Sequence, residues 1–316
     1  MKEHHYFASA NTCEGFKNHF GDINPNNFTY IIKGGPGTGK SSLMKSVGEH
    51  FAKKGYKVEY FHCSSDMDSL DGVRIVEKNV AMLDGTAPHV TEATLPQVTE
   101  KIVNVGEFIS GDITKHKENM MQCLAKKSMH FSNAYGYLSA CKELVKMEIN
   151  NIKITNKEAE DKANEVIKSL KIRHKKNAIK ARSLFITCID KGGIKGLENE
   201  YKNVITIDEH DYFAELKILN EICCGLEKMN ANYIKLLSPL LDNLVEGIYI
   251  ESIDTLIIAK SQLSNTLINA LINKAGYQID KARHEHKKVE KYYIKAMQFE
   301  KLNILRQEII QEISEK

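Results

Sequence analysis

Residues 34–41, Gly34-Gly35-Pro36-Gly37-Thr38-Gly39-Lys40-Ser41, combine the types and the order that a phosphate chain needs. The glycines permit a loop whose backbone N–H groups turn inward with no Cβ between them and an anion. A helix beginning where the loop ends adds the positive end of its dipole. Lys40 then reaches the outer phosphates, the Ser41 hydroxyl ligates Mg²⁺, and Ser42, one position on, comes within reach of the innermost phosphate. The stretch fits G-x-x-x-x-G-K-[ST] in full, so it predicts a binding loop for a nucleoside triphosphate.

Mg²⁺ needs more than one hydroxyl, and a carboxylate at the end of a neighbouring strand usually completes its shell. Asp84, which closes the apolar run VAMLD over residues 80–84, is the candidate. No Glu follows it, so the group that activates water for hydrolysis has to come from elsewhere. The segment HCSSDMDSLDG, residues 62–72, reads as a loop leaving a strand on the ligand-binding edge of an α/β sheet. It offers His62, Asp66, Asp68 and Asp71 as a general base, a second Mg²⁺ ligand or substrate contacts. The same acids would equally suit a solvated helix-capping loop. His62 and Cys63 with His89 match no recognised transition-metal spacing.

The elements that must position these residues are written in the flanking pattern. FTYII, residues 28–32, is a strand entering the loop, and Leu43, Met44, Val47 and Phe51 recur on one face of a helix leaving it. Gly55 stops that helix, KVEYFHC (57–63) reads as a second strand, and VAMLD as a third. Strands alternating with helices predict an α/β unit with a parallel sheet. Residues 112–182 contain one glycine and no proline, with charged residues interleaved among apolar ones, so long helices follow, broken near residues 150–156. The expected architecture is a P-loop NTPase-type sheet unit with an added helical hairpin.

Slid against itself by 175 residues, the chain lays DGVRIVEKNVAMLDGT (71–86) on EGIYIESIDTLIIAKS (246–261) without gaps. The same shift carries Leu43, Met44, Val47 and Phe51 onto Ile218, Leu219, Ile222 and Leu226. A shift of 178 puts Phe7, Gly15 and Lys17 on Phe185, Gly193 and Lys195. The apolar pattern survives the shift and the chemistry does not. GGPGTGKS falls on EHDYFAEL (209–216), Lys40 on Glu215, Asp84 on Ala259 and Asp66 on Leu241. Two similar units are therefore expected, 1–175 with the nucleotide site and 176–316 without one, each with a helical hairpin.

Composition bounds the partners. The 44 Lys+Arg and 41 Asp+Glu of the 316 residues leave a net charge of +3, which gives no global case for nucleic acid. The basic stretch KARHEHKKVEKYYIKAMQFEKLN (281–303) interleaves acids at helical spacing and reads as a solvated helix face. Arginine is scarce, at positions 74, 173, 182, 283 and 306, and only Arg74 lies among the first-half loops, which argues against an Arg-rich lid. The guanine-reading Asn-Lys-x-Asp is missing, so ATP is preferred to GTP. Seven cysteines, odd in number and without a CxxC pair, suit a reducing interior. The N-terminus has no apolar signal region and no run of about 18 apolar residues occurs, so a cytoplasmic location without membrane insertion is expected.

The stretches HHYFASANT, KGGPGTGKSSLMK, FHCSSDMDSLDGV, AMLDGTAPHV and KYYIKAMQFEKLN together resemble a bacterial family of ATP-binding proteins with duplicated P-loop domains whose activity is not established. That resemblance implies two nucleotide sites. The departure at residues 209–216 lets only the first be carried over, onto Gly34, Gly39, Lys40, Ser41 and Asp84. The expected function is Mg-ATP binding with hydrolysis coupled to rearrangement of the halves. The alternatives are phosphoryl transfer to a small-molecule acceptor, with His62 or Asp66 as base, and a non-enzymatic ATP sensor read by a protein partner.

Overall fold

The run FTYII becomes a strand and the Leu43 to Phe51 periodicity a helix in the computed structural model, which describes residues 3–23, 28–88, 90–170, 172, 181–198 and 201–316. In chain order the elements are β1 (Glu3–Phe7), β2 (Ser9–Thr12), β3 (Gly15–Asn18), β4 (Phe28–Lys33), α1 (Lys40–Lys53), β5 (Val58–Cys63), β6 (Asp66–Ile75), β7 (Val80–Asp84), β8 (Glu100–Asn104), α2 (Lys117–Asn150) and α3 (Asn156–Ser169). There follow β9 (Arg182–Phe185), β10 (Thr187–Asp190), β11 (Gly193–Gly196), β12 (Val204–Ile207), α4 (Tyr212–Lys228), β13 (Ile234–Leu237), β14 (Val245–Ile250), β15 (Thr255–Ala259), α5 (Thr266–Ala296) and α6 (Phe299–Glu315). The helical break expected near 150–156 falls between α2 and α3, where Thr155 and Glu158 form a reciprocal capping box. No helix among the described residues is long and apolar enough to cross a membrane.

Packing divides the chain into two compact units, each built from separated segments. One comprises Met1–Ala8, Phe20–Asn133 and Tyr277–Lys316; the other comprises Ser9–His19 and Ala134–Gly276. The boundaries fall inside α2 and α5. A helix of such length is continuous in hydrogen bonding but can lend different stretches to different cores, so this division follows side-chain partners and differs from a simple cut at residue 175.

In the first unit the strand order is β1-β5-β6-β7-β4-β8. The sheet is mixed, where a parallel one was expected. β1 with β5, β4 with β7 and β4 with β8 are parallel, whereas β6 runs antiparallel to both β5 and β7. The reason lies in the connections: two residues separate β5 from β6 and four separate β6 from β7, too few for the crossover of a dozen or more that parallel neighbours require. Residues 66–72, read from their Asp and Ser content as loop, therefore belong to a strand. Their polar side chains sit at its start, and Val73 and Ile75 are fully buried further along. The core joins Tyr30, Ile32, Tyr60, Val73 and Met82 of the sheet to Leu43, Met44, Val47 and Phe51 of α1 and to Leu302, Ile309 and Ile313 of α6.

The second unit has strand order β9-β13-β14-β15-β12, with β9/β13 and β12/β15 parallel and β14 antiparallel to both its neighbours. This is the order and sense of β1, β5, β6, β7 and β4. β7 and β15 lie 175 residues apart at both ends, as do the C-termini of α1 and α4. The hairpins β2–β3 and β10–β11 lie 178 apart. α4 buries Ile218, Leu219, Ile222 and Leu226, the residues that the shift lays on the buried face of α1.

Candidate functional site

Strand β4 delivers the chain to the glycine loop and α1 receives it. Gly37 (φ 73°) and Gly39 (φ 86°) both take left-handed backbone, which a side chain would strain, and together they turn the chain from the strand into the helix. Gly39 is the N-cap of α1 and no side chain caps that end. Leu43 N–H is bonded to Gly39 O at 2.9 Å, and the helical amides ahead of it have no intrahelical acceptor. The carbonyls are held instead: the Thr38 hydroxyl donates to Gly35 O at 2.8 Å, and the Lys40 ammonium donates to Gly34 O and Gly35 O at 2.9 Å each. Loop carbonyls thus face their own cation, and an uncapped helix start presents N–H groups. That combination is suited to an anion.

Asp84 ends β7 directly opposite Ile32 in the β4 register, so adjacent parallel strands bring it beside the loop. Its Oδ2 lies 3.6 Å from Lys40 Nζ, and its Oδ1 accepts from the Thr86 amide at 2.9 Å and from the Thr86 hydroxyl. Burial pushes this carboxyl up, against the opposing pull of Lys40 and Thr86, and Asp71, buried on β6, adds to the upward push. Ser41 Oγ accepts from the Leu70 amide at 2.8 Å, which ties the first turn of α1 to β6 and leaves the hydroxyl proton and a lone pair for other partners. Ser42, the next residue, is exposed.

The other expected residues are placed differently. His62 has both ring nitrogens engaged, Nδ1 with Met67 O at 2.6 Å and Nε2 with His5 Nδ1 at 2.9 Å. A carbonyl only accepts, so Nδ1 carries the proton, and in the neutral ring the lone pair on Nε2 is directed to His5. Asp66 opens β6 with Oδ2 accepting from Ser69 Oγ at 3.0 Å. Asp68 is exposed. Arg74, placed among the loops from sequence, is in strand β6 and pairs with Glu59 at 3.1 Å. His89 lies outside the described residues. Among the described residues, no group of three or more His, Cys, Asp and Glu is placed to hold a metal ion.

Sequence reasoning missed the contribution of α5. Residues 283, 286, 290 and 293 recur at helical spacing, and each meets the region around the loop. Arg283 Nη1 is 3.7 Å from Asp66 Oδ1, and His286 Nδ1 is 3.1 Å from Lys127 Nζ of α2. A Cβ on Gly37 would come within 2.8 Å of the Glu290 carbonyl, and one on Gly35 within 2.4 Å of the Tyr293 ring. The face read as solvated is thus the one laid against the loop. Burial lowers Lys127, partly offset by Cys63 and Glu290. Burial, then Lys127 and Lys40, bring His286 down to about 4, so it is neutral at physiological pH.

The corresponding place in the second unit is filled by its own side chains. Asp211 caps α4 by accepting from the Phe213 and Ala214 amides at 3.0 and 3.4 Å. Glu215, which stands where Lys40 does in the first unit, is fully buried and accepts from the Glu209 and Ser261 amides at 2.9 and 2.8 Å and from the Ser261 hydroxyl at 2.6 Å. A carboxylate occupies the helix start, so no second anion is favoured there.

Tyr212, the counterpart of Gly37, donates at 3.2 Å to the buried Glu246, which also accepts from Thr187 and faces Ser238 and Glu198. Burial pushes the Glu246 carboxyl up from an ordinary 4.5 to about 7, aided by the Glu198 charge and opposed by the three hydroxyls. An acid raised on folding favours the folded state while protonated, and that advantage is lost as pH climbs from the unfolded to the folded value. Stability should therefore fall by about 3 kcal/mol between pH 4.5 and 7 through this group alone. Glu246→Gln should flatten that segment and melt higher than the parent at pH 8. Thermal melts from pH 4.5 to 8 check this, and parallel curves for parent and variant would refute it.

A family model described as Nephrocystin 3, N-terminal matches residues 11–140, a stretch that contains the glycine loop, Asp66, Asp84 and Lys127. Comparison with curated proteins and with solved structures returned no match.

Proposed function

We propose that the protein is a P-loop NTPase that binds Mg-ATP in its first unit and hydrolyses it, and that the second unit is a copy whose phosphate site has been lost. The observation that carries this reading is the Lys40 ammonium, fixed by two loop carbonyls at the uncapped start of α1 with Asp84 at 3.6 Å. The amides from Gly37 to Ser41 and the Lys40 cation are the donors that α-, β- and γ-phosphate oxygens require. Ser41 Oγ and Asp84 Oδ2 are hard oxygen donors of the kind Mg²⁺ takes, and neither is consumed by the Thr86 contacts on Oδ1. When bound, Mg²⁺ would draw negative charge off the outer phosphates.

The contrast between the units supports the same reading. α1 and α4 close similar strand arrangements, yet the first begins with uncapped glycine and lysine and the second with two carboxylates. Core positions persist where every anion-binding position has changed, the pattern left when a fold is kept and a ligand is not. The engaged ring of His62 disfavours phosphoryl transfer with that residue as base.

Titration calorimetry of the full chain with Mg-ATP and Mg-GTP tests the proposal. One saturable site is expected, with Mg-ATP the tighter ligand and affinity falling when EDTA removes the metal. An absence of heat with either nucleotide would remove the proposal.

A further inference from the structure

Hydrolysis at this loop needs a group that orients and deprotonates water, and the sequence leaves the position after Asp84 without a Glu. His62 directs its lone pair to His5, Asp84 is held between Thr86 and Lys40, and Asp66 accepts from Ser69 beside Arg283. Glu290 of α5 is placed differently. Its main chain stands against Gly37, the middle of the loop, where a Cβ would come within 2.8 Å of its carbonyl and 3.1 Å of its Cα. Its Oε1 lies 3.6 Å from His286 Nε2. Lys127 only donates, so Nδ1 of the neutral His286 ring accepts from it at 3.1 Å and the ring proton sits on Nε2, facing the carboxylate. Burial first, then the Asp66 charge, push the Glu290 carboxyl up, while Lys287, Lys40 and Lys127 oppose the push.

We propose that Glu290 is the base that positions and deprotonates the water attacking the γ-phosphate, an inference that rests on the ATPase reading above. The water oxygen forms a bond to the γ-phosphorus while the bond from that phosphorus to the β–γ bridging oxygen breaks, and ADP leaves with the electron pair. The water proton passes to the Glu290 carboxylate and from there to solvent, so the products are ADP, inorganic phosphate and one proton. Glu290 stands 250 residues downstream of the loop lysine, on a helix whose main chain lies against Gly37 and whose Tyr293 ring lies against Gly35.

The test compares wild type, Glu290→Gln and Glu290→Asp as full chains, by calorimetry with Mg-ATP and by phosphate release. Glu290→Gln should bind Mg-ATP with a Kd within about threefold of wild type and release phosphate about 100-fold or more slowly, general-base contributions being typically of that size. Glu290→Asp keeps a carboxylate one methylene short and should recover part of the rate. Wild-type phosphate release by Glu290→Gln would overturn the inference and leave the ATPase reading standing. Loss of nucleotide binding in Glu290→Gln would overturn it too, because the side chain would then hold the loop rather than act on water. A wild type that binds no nucleotide would remove the ATPase reading, and the inference with it.

Discussion

Lys40→Ala should abolish measurable ATP turnover and weaken Mg-ATP binding while leaving the fold in place. The ammonium is held by two carbonyls of its own loop and lies 3.6 Å from the Asp84 carboxylate, so alanine removes a cation without opening an apolar cavity. Charge-assisted hydrogen bonds are worth about 1.5–3 kcal/mol each. Two of them to phosphate oxygens, at about 1.4 kcal/mol per tenfold, amount to a loss on the order of 10³-fold in turnover. The variant should also carry a pH signature. Burial already pushes Asp84 up and Lys40 restrains it, so without the cation the carboxyl rises further. A raised acid costs stability as pH climbs above its ordinary range, so Lys40→Ala should differ least from wild type in acid and be the less stable protein at neutral pH. Phosphate release and thermal melting at pH 5 and pH 7.5 measure both effects. Turnover equal to wild type would sink the assignment of Lys40, and with it the ATPase reading.

How much of this was legible in the sequence depends on the range of the forces involved. The strand, loop and helix from Phe28 to Lys53 are set by neighbours a few residues apart, and their apolar periods are clean, so they could be read directly. The same holds for VAMLD and for the break between α2 and α3. Strand β6 was hidden because its first residues, Asp66, Asp68 and Ser69, carry the composition of a turn. What makes them a strand is the two-residue link to β5 together with the pairing of Asp66 with Cys63 and of Leu70 with His62, which their composition does not mark.

The α5 face was hidden for a different reason. Arg283, His286, Glu290 and Tyr293 form a stripe of mixed charge, and mixed charge at helical spacing normally means water. Only the packing of Leu302, Ile309 and Ile313 of α6 beside α1, together with the glycines that let the loop approach α5, turns that stripe inward. The segment allegiance of Ser9–His19 and Tyr277–Lys316 is likewise a choice of partners, which no window of sequence contains. The repeat offsets were legible because core periodicity constrains both units alike, residue by residue.

Arg74→Ala should be among the most destabilising single substitutions in the first unit. Glu59 and Arg74 stand directly opposite on β5 and β6, 3.1 Å apart, with the Glu59 side chain 0% exposed and that of Arg74 13% exposed. Little water reaches that carboxylate, so removing the cation should cost more than the roughly 1 kcal/mol at most of an exposed pair. Replacing both, Glu59→Leu with Arg74→Met, should recover most or all of that loss, since well-packed apolar residues often match a buried ion pair. Urea unfolding of wild type, the single variant and the double variant separates these outcomes, and a cost under about 1 kcal/mol for Arg74→Ala would show that solvent reaches Glu59 after all. The effect should reach the site as well. β6 begins at Asp66 and carries Asp71, and the amide of Leu70 donates at 2.8 Å to Ser41 Oγ. Loosening β6 at Arg74 releases that hydroxyl from its anchor, so Arg74→Ala should need more Mg²⁺ than wild type to reach half-maximal ATP turnover, even at a temperature where it remains folded.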